Sequence, residues 1–294
     1  MSHYNSPLTT VIFVFLKHLN SVSETCQLVS DTGVVKAGKS TTDLFILGIL
    51  AGAYVAFAAA GSTMAAFHLL ANHETFGLGR CIAGIIFPCG LILVMLAGSE
   101  LFTGNTMMLL PLTQRRISLF AMLRNWFIVY AGNFVGAVFV AFLVCQSGQL
   151  NSGDHLLGGM TVKIAAMKCN LTFIQAFLLG ILCNWLVCLA IWMAMSAKDI
   201  TGKILAIFFP IWLFVTSGYE HSIANMYYIP AGLFAAQSSS WLESAQTITH
   251  PEVLASLTWT TFFTANLLPV TLGNIVGGGV LVALVYGYVC RKTK

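Results

Sequence analysis

Gly98-Ser-Glu-Leu-Phe-Thr-Gly-Asn-Thr106 and Ser217-Gly-Tyr-Glu-His-Ser-Ile-Ala-Asn-Met226 are the two stretches that decide the fold. Each interrupts a long apolar run with a glycine and a glutamate. An asparagine follows five residues after the glutamate, giving Glu100 with Asn105 and Glu220 with Asn225. A carboxylate inside an apolar run is costly in hydrocarbon and signals function. Irregular backbone survives at membrane depth only where protein buries it or it lines a cavity. The two stretches therefore predict two membrane spans, each broken part-way.

Outward from these breaks the chain divides into six apolar segments. They run over about 44–70, 81–112, 117–145, 172–195, 204–237 and 258–290, with the breaks in the second and fifth. Each reaches the roughly 20 residues that a helix needs to cross a bilayer, and none alternates as a barrel strand does. Only 24 of 294 residues are charged (14 Lys or Arg, 10 Asp or Glu), or 8%, and 57% are hydrophobic. A soluble domain carries roughly 25% charged residues. Composition thus excludes a soluble enzyme, a nucleic-acid binder and a disordered chain. The expected fold class is an all-α polytopic membrane protein.

The few basic residues orient it. Lys17, Lys36, Lys39, Arg115, Arg116, Arg124, Lys198, Lys203, Arg291, Lys292 and Lys294 fall on one set of connections. Arg80, Lys163 and Lys168 fall on the other. The positive-inside rule places the larger set and both termini in the cytoplasm, and six spans satisfy that parity. Residues 1–40 read as an N-terminal cytoplasmic or interfacial segment. Val11–Leu16 within it is too short to span, and no basic region precedes it as in a cleaved signal peptide. Residues 41–147 hold three spans, 148–170 form an outer connection with room for a short surface helix, 171–290 hold three more, and 291–294 form a tail.

The halves resemble each other in order. Phe45-Ile-Leu-Gly-Ile-Leu50 matches Phe177-Leu-Leu-Gly-Ile-Leu182, the two breaks match, and Gly132-Asn-Phe-Val-Gly136 matches Gly273-Asn-Ile-Val-Gly277. Three spans per half is an odd number, so the second half lies upside down, as a 3+3 inverted repeat. Both breaks then approach the midplane, where half-helix dipoles and free N–H groups suit a small anion.

Of seven histidines, His221 alone sits at a break within a span. Its ordinary pKa near 6.5 lets it exchange protons around neutrality; the alternative is a neutral histidine that only bonds the broken backbone. Glu100 and Glu220 read as holding the breaks open by accepting backbone N–H bonds, with a proton relay as the alternative. Thr103 and Asn225 offer a hydroxyl and an amide to a solute. Lys168, by itself, reads as a solvated charge flanking the fourth segment. The eight cysteines read as small buried hydrophobes. No phosphate loop, zinc motif or nucleophile elbow is visible, so no catalytic residue, metal or cofactor is expected.

The two breaks, together with Asn184-Trp-Leu-Val-Cys-Leu-Ala-Ile-Trp192 and Leu267-Leu-Pro-Val-Thr-Leu-Gly-Asn-Ile-Val-Gly-Gly-Gly279, resemble the formate/nitrite transporter family over about residues 30–290. That resemblance implies an aquaporin-like fold, a homopentamer with one pore per protomer, and passage of small monovalent weak-acid anions such as formate, nitrite or hydrosulfide. It implies a central histidine at His221 facing Thr103, with polar pore residues at Asn184 and Asn225. It implies apolar constrictions at Leu91, Leu101 and Phe102 on the inner side and at Phe87, Val187 and Phe214 on the outer side. It also implies that Lys168 draws anions into the outer vestibule. The expected protein is a formate channel or proton-linked formate transporter in a cell inner membrane, partnered by the bilayer and its own copies and not by nucleic acid. Nitrite and hydrosulfide are the alternatives within the family. A water- or glycerol-type pore is the alternative outside it, although neither break holds an Asn-Pro-Ala box.

Overall fold

The computed structural model describes residues 19–291, which are helical almost throughout. The surface segment expected around Val11–Leu16 lies outside the described residues. Among those described, six helices are long and apolar enough to cross a membrane: Thr41–Ala71, His73–Leu96, Leu119–Gln146, Phe173–Ser196, Ile200–Ser217 and Trp259–Arg291. Their order and positions follow the six apolar segments.

In chain order, α1 is Val22–Gly38 and α2 is Thr41–Ala71. The second span is α3 (Phe76–Ile86) and α4 (Pro88–Leu96), joined at Phe87. After the break come α5 (Phe102–Asn105), a 3₁₀ turn and α6 (Leu109–Thr113). The third span is α7 (Leu119–Gln146). The second half repeats the plan with α8 (Leu156–Cys169), α9 (Phe173–Ser196), α10 (Ile200–Ser217) and, after its break, α11 (Ser222–Ala235). Two short helices, α12 (Ser239–Ile248) and α13 (Pro251–Ala255), precede the sixth span. That span opens with α14 (Trp259–Thr261), widens into π-helix over Phe262–Leu267, narrows at α15 (Leu268–Asn274), widens again over Ile275–Leu284, and ends in α16 (Val285–Arg291).

The repeat therefore includes a fourth member, because α1 precedes the first three spans as α8 precedes the second three. The connection over 148–170 is not a polar loop with a surface helix. Helix α8 is buried along Leu157–Val162 and again at Ala165, Ala166 and Cys169. Its glycines explain the depth: a Cβ on Gly159 would stand 2.8 Å from Ala245 N of α12.

Both breaks use the same local chemistry. Gly98 and Gly218 take the left-handed conformation at φ +80° and +78°, which stops a helix at little cost only in glycine. The chain then runs extended for a few residues and restarts as α5 or α11. Gly136 and Gly277 let the third and sixth spans press onto the first and fourth. A Cβ on Gly136 would lie 2.9 Å from Ala53 N, and one on Gly277 would lie 2.9 Å from Trp185 N.

Candidate functional site

An extended, buried backbone must have its polar groups satisfied. Here one asparagine per half does so. Asn133 Nδ2 donates to Gly48 O (2.8 Å) and Glu100 O (2.9 Å), while its Oδ1 accepts from Phe102 N (3.0 Å). Asn274 Nδ2 donates to Gly180 O (2.8 Å) and Glu220 O (3.0 Å), while its Oδ1 accepts from Ser222 N (2.9 Å). The glutamates do not hold the backbone, contrary to the expectation from sequence. An anionic carboxylate has acceptors only, whereas the break presents carbonyls that need donors. An amide supplies both.

Each carboxylate instead anchors a charged frame. Glu100 Oε2 accepts from Lys36 Nζ (3.0 Å) and Asn105 Nδ2 (2.9 Å), and Asn105 Nδ2 also donates to Asn125 Oδ1 (2.8 Å). Glu220 accepts from Lys168 Nζ at Oε1 (2.7 Å) and from Asn225 Nδ2 at Oε2 (2.7 Å), and Asn225 Nδ2 also donates to Asn266 Oδ1 (2.7 Å). Asn125 and Asn266 return a bond to the carbonyls of Lys36 and Lys168 (3.2 and 3.0 Å). The two frames are the same object turned over. They differ in detail: Lys36 also donates to Asn105 Oδ1 (2.6 Å) and Lys39 Nζ stands 4.0 Å from Glu100 Oε1, whereas Asn225 Oδ1 has no partner among the described residues and Asn266 Nδ2 also donates to Glu220 Oε2 (3.2 Å). Lys168 is therefore not the solvated flanking charge that its position suggested. Its side chain is 16% exposed, ion-paired, and 5.2 Å above the Tyr228 ring.

At the centre, Thr103 Oγ1 and His221 Nε2 are 3.0 Å apart and buried. His221 is the N-cap of α11, and its Nδ1 accepts from Ala224 N (3.1 Å). With Nδ1 as an acceptor, the neutral ring carries its proton on Nε2 and donates to Thr103. A second proton would displace the Ala224 N–H from Nδ1. The Phe214 ring lies 6.1 Å from the imidazole and 5.6 Å from the Phe87 ring, which it meets edge-on. Leu91, Leu101 and Val187 are buried in the same core. Phe102 turns its ring to Trp126 and Tyr130 of α7. Asn184 is fully buried, and its Nδ2 donates to Thr103 O (3.1 Å), Thr106 Oγ1 (3.1 Å) and Asn274 O (2.6 Å). It is a strut between α9, α5 and the sixth span.

A cavity of about 400 Å³ is lined by Arg80, Lys163 and Lys168 and also by Phe87, Phe214 and His221. The structure thus gathers Lys168, Glu220, Asn225, Phe87, Phe214 and His221 on one side, with Thr103 against the ring. It places Glu100 in the other frame. From sequence, Lys36 carries only a topological role, Asn125 and Asn266 go unmarked, and Asn133 and Asn274 serve only to match the repeat. The signal was present: Asn125 and Asn266 each stand eight residues before the second asparagine of their span. Among the described residues, no cluster of His, Cys, Asp or Glu is arranged to hold a metal ion.

The sequence profile described as formate/nitrite transporter matches residues 23–288. The chain belongs to the formate/nitrite transporter family. A probable formate transporter of Methanothermobacter thermautotrophicus is 40% identical, over 92% of this chain and 97% of the relative. The formate channel FocA of Haemophilus influenzae is 38% identical, over 91% and 94%. A solved pentameric formate channel with formate bound superimposes with a TM-score of 0.74 at 35% identity, covering 85% of this chain and 97% of that one. This formate/nitrite transporter family member is accordingly a multi-pass membrane transport protein and not an enzyme.

Proposed function

We propose that the chain is a formate channel or proton-linked formate transporter, working as a homopentamer in a cell inner membrane with both termini cytoplasmic. The observation that carries this reading is the Thr103–His221 pair, 3.0 Å apart and buried, at the end of the charged cavity. A naked anion crosses an apolar constriction such as Phe87–Phe214 only at high cost, whereas the neutral acid crosses cheaply. Positive charge at the mouth gathers the anion. A proton delivered by water or His221 then neutralises it for the apolar step, and Thr103 and the Nε2–H offer it hydrogen bonds at the centre. The Glu–Asn–Lys frames and Asn133 and Asn274 hold the two breaks in register while this happens.

The relatives named for formate, each matched over nine-tenths of this chain, favour formate over nitrite and hydrosulfide. Uptake of labelled formate into proteoliposomes, set against nitrite and hydrosulfide across external pH, tests the reading. Formate flux that rises as external pH falls is the expected result. Robust nitrite flux with none for formate would overturn the substrate assignment.

A further inference from the structure

Arg80 comes from α3 and Lys163 and Lys168 from α8, yet all three line the cavity that reaches His221. Their charges are not equally available. Lys168 is held by Glu220 at 2.7 Å. Lys163 is partly exposed and makes no ion pair among the described residues. Arg80 donates through Nε to Thr216 O (3.3 Å) and through Nη2 to Val215 O. That leaves other donors of its five-donor fork on the cavity wall. Three cations against the single carboxylate of Glu220 leave the mouth with a formal surplus of two positive charges, and Arg80 and Lys163 supply it.

Arg80 does a second thing. The carbonyls it binds belong to the last turn of α10, the negative end of a helix pointing into the anion's path. Capping them removes a repulsive field as well as adding an attractive one. Gly218 makes room for the guanidinium, since a Cβ there would lie 3.0 Å from Arg80 Nη2. At the equivalent break a Cβ on Gly98 would meet no described residue within 4 Å, and the end of α4 is closed by Ser99 onto Val94 O. Among the described residues, the charged cap therefore exists on one half only. Arg80 also stands seven residues before Phe87 on a continuous helix, roughly two turns or 10 Å outward on the same face.

We propose that Arg80 and Lys163 form an anion-capture station at the mouth, apart from Lys168. It takes small monovalent carboxylates and isosteric anions by charge and by guanidinium hydrogen bonds, before they reach the Phe87–Phe214 constriction. The inference rests on the proposed anion passage, and it makes the two mouths unequal. Formate entering from the Arg80 side meets a captured first step, whereas on the other side the described lysines nearest the break, Lys36 and Lys39, both pair with Glu100.

The test is initial formate flux in proteoliposomes of known orientation, as a function of formate concentration and ionic strength, for Lys163→Gln, Arg80→Gln and Arg80→Lys. Lys163→Gln and Arg80→Gln are expected to raise the half-saturating formate concentration about tenfold for entry from the Arg80 side, the low end of what charged clefts achieve. They should also flatten its dependence on ionic strength. Arg80→Lys keeps the charge and should retain the ionic-strength dependence, and Lys163→Gln removes no hydrogen bond of the fold. Saturable wild-type flux, with half-saturation and salt dependence unchanged in both Gln variants, would overturn this inference alone. Wild-type protein without formate flux would remove the functional reading and this inference with it.

Discussion

The hydroxyl of Thr103 and the ring nitrogen of His221 meet at 3.0 Å although they are not counterparts in the repeat. Aligning Glu100 with Glu220 sets His221 opposite Leu101 and Thr103 opposite Ile223. The frames on either side are doubled, and the centre is single. Inversion thus builds the walls, and two substitutions within them supply the one polar contact between the breaks. His221→Phe is expected to abolish anion flux or its pH response, read by proteoliposome uptake. His221→Asn keeps a side-chain acceptor at the N-cap of α11. It should therefore spare the roughly 0.5–2 kcal/mol of stability that a cap contributes, which His221→Phe gives up. PH-dependent flux unchanged in the Phe variant would take His221 out of the mechanism.

Lys168→Ala leaves the carboxylate of Glu220 buried without its ion partner. Breaking such a pair costs about 3–5 kcal/mol, whereas replacing both partners with apolar groups is often neutral. Thermal unfolding in detergent should show a large loss for Lys168→Ala and recovery in Lys168→Met with Glu220→Leu. Flux in Lys168→Ala should fall at saturating as well as at low formate, because the frame around Asn225 is disturbed. A loss confined to low formate would show that Lys168 acts as a free attractor after all.

Asn133→Ala and Asn274→Ala each delete three hydrogen bonds to buried backbone. Orphaned buried groups cost about 1–3 kcal/mol each. Both variants are expected to lower stability by similar amounts, since their bonding is the same in kind and number. A neutral result for either, measured by unfolding, would mean that the break does not need its amide.

Asp31 pairs with Arg116 at 2.7 Å, and the Arg116 hydrogen bond holds its carboxyl below the ordinary 3.8. A lowered folded-state pKa contributes above the ordinary carboxylate range and is lost as pH falls through the lowered value. Docking of α1 through this contact should therefore be flat between about pH 5 and 8 and loosen only in stronger acid. Hydrogen exchange along α1 measures it. Loosening near neutrality would assign the change to another group.

Much of this was legible in the chain. The breaks declared themselves because glycine and glutamate are conspicuous against 57% hydrophobic residues. The inverted repeat followed from parity. The carboxylates' lysine partners were not legible, because contact between Lys36 and Glu100 spans sixty-four positions and no local pattern reports it. The side of the membrane that Lys36 and Lys168 mark says nothing about what their ammonium groups touch. Helix α8 was hidden for a related reason: its glycines and polar residues look like loop, and only packing against α11 and α12 makes them interior.

The sixth span has 33 residues and the third has 28, yet the extra residues need not add height. A π-helical turn bonds i to i+5 and is wider than an α-helical one, so it advances less for each residue it contains. The span stores part of its surplus as girth. Gly277, Gly278 and Gly279 fall inside one wide stretch and face Trp185, Asn184 and Leu109 in turn. A slim helix shows one side to each neighbour; this thickened one lets three consecutive residues each touch a different partner, so a single inserted side chain there would jam two or three packing contacts against α9 and the broken second span at once.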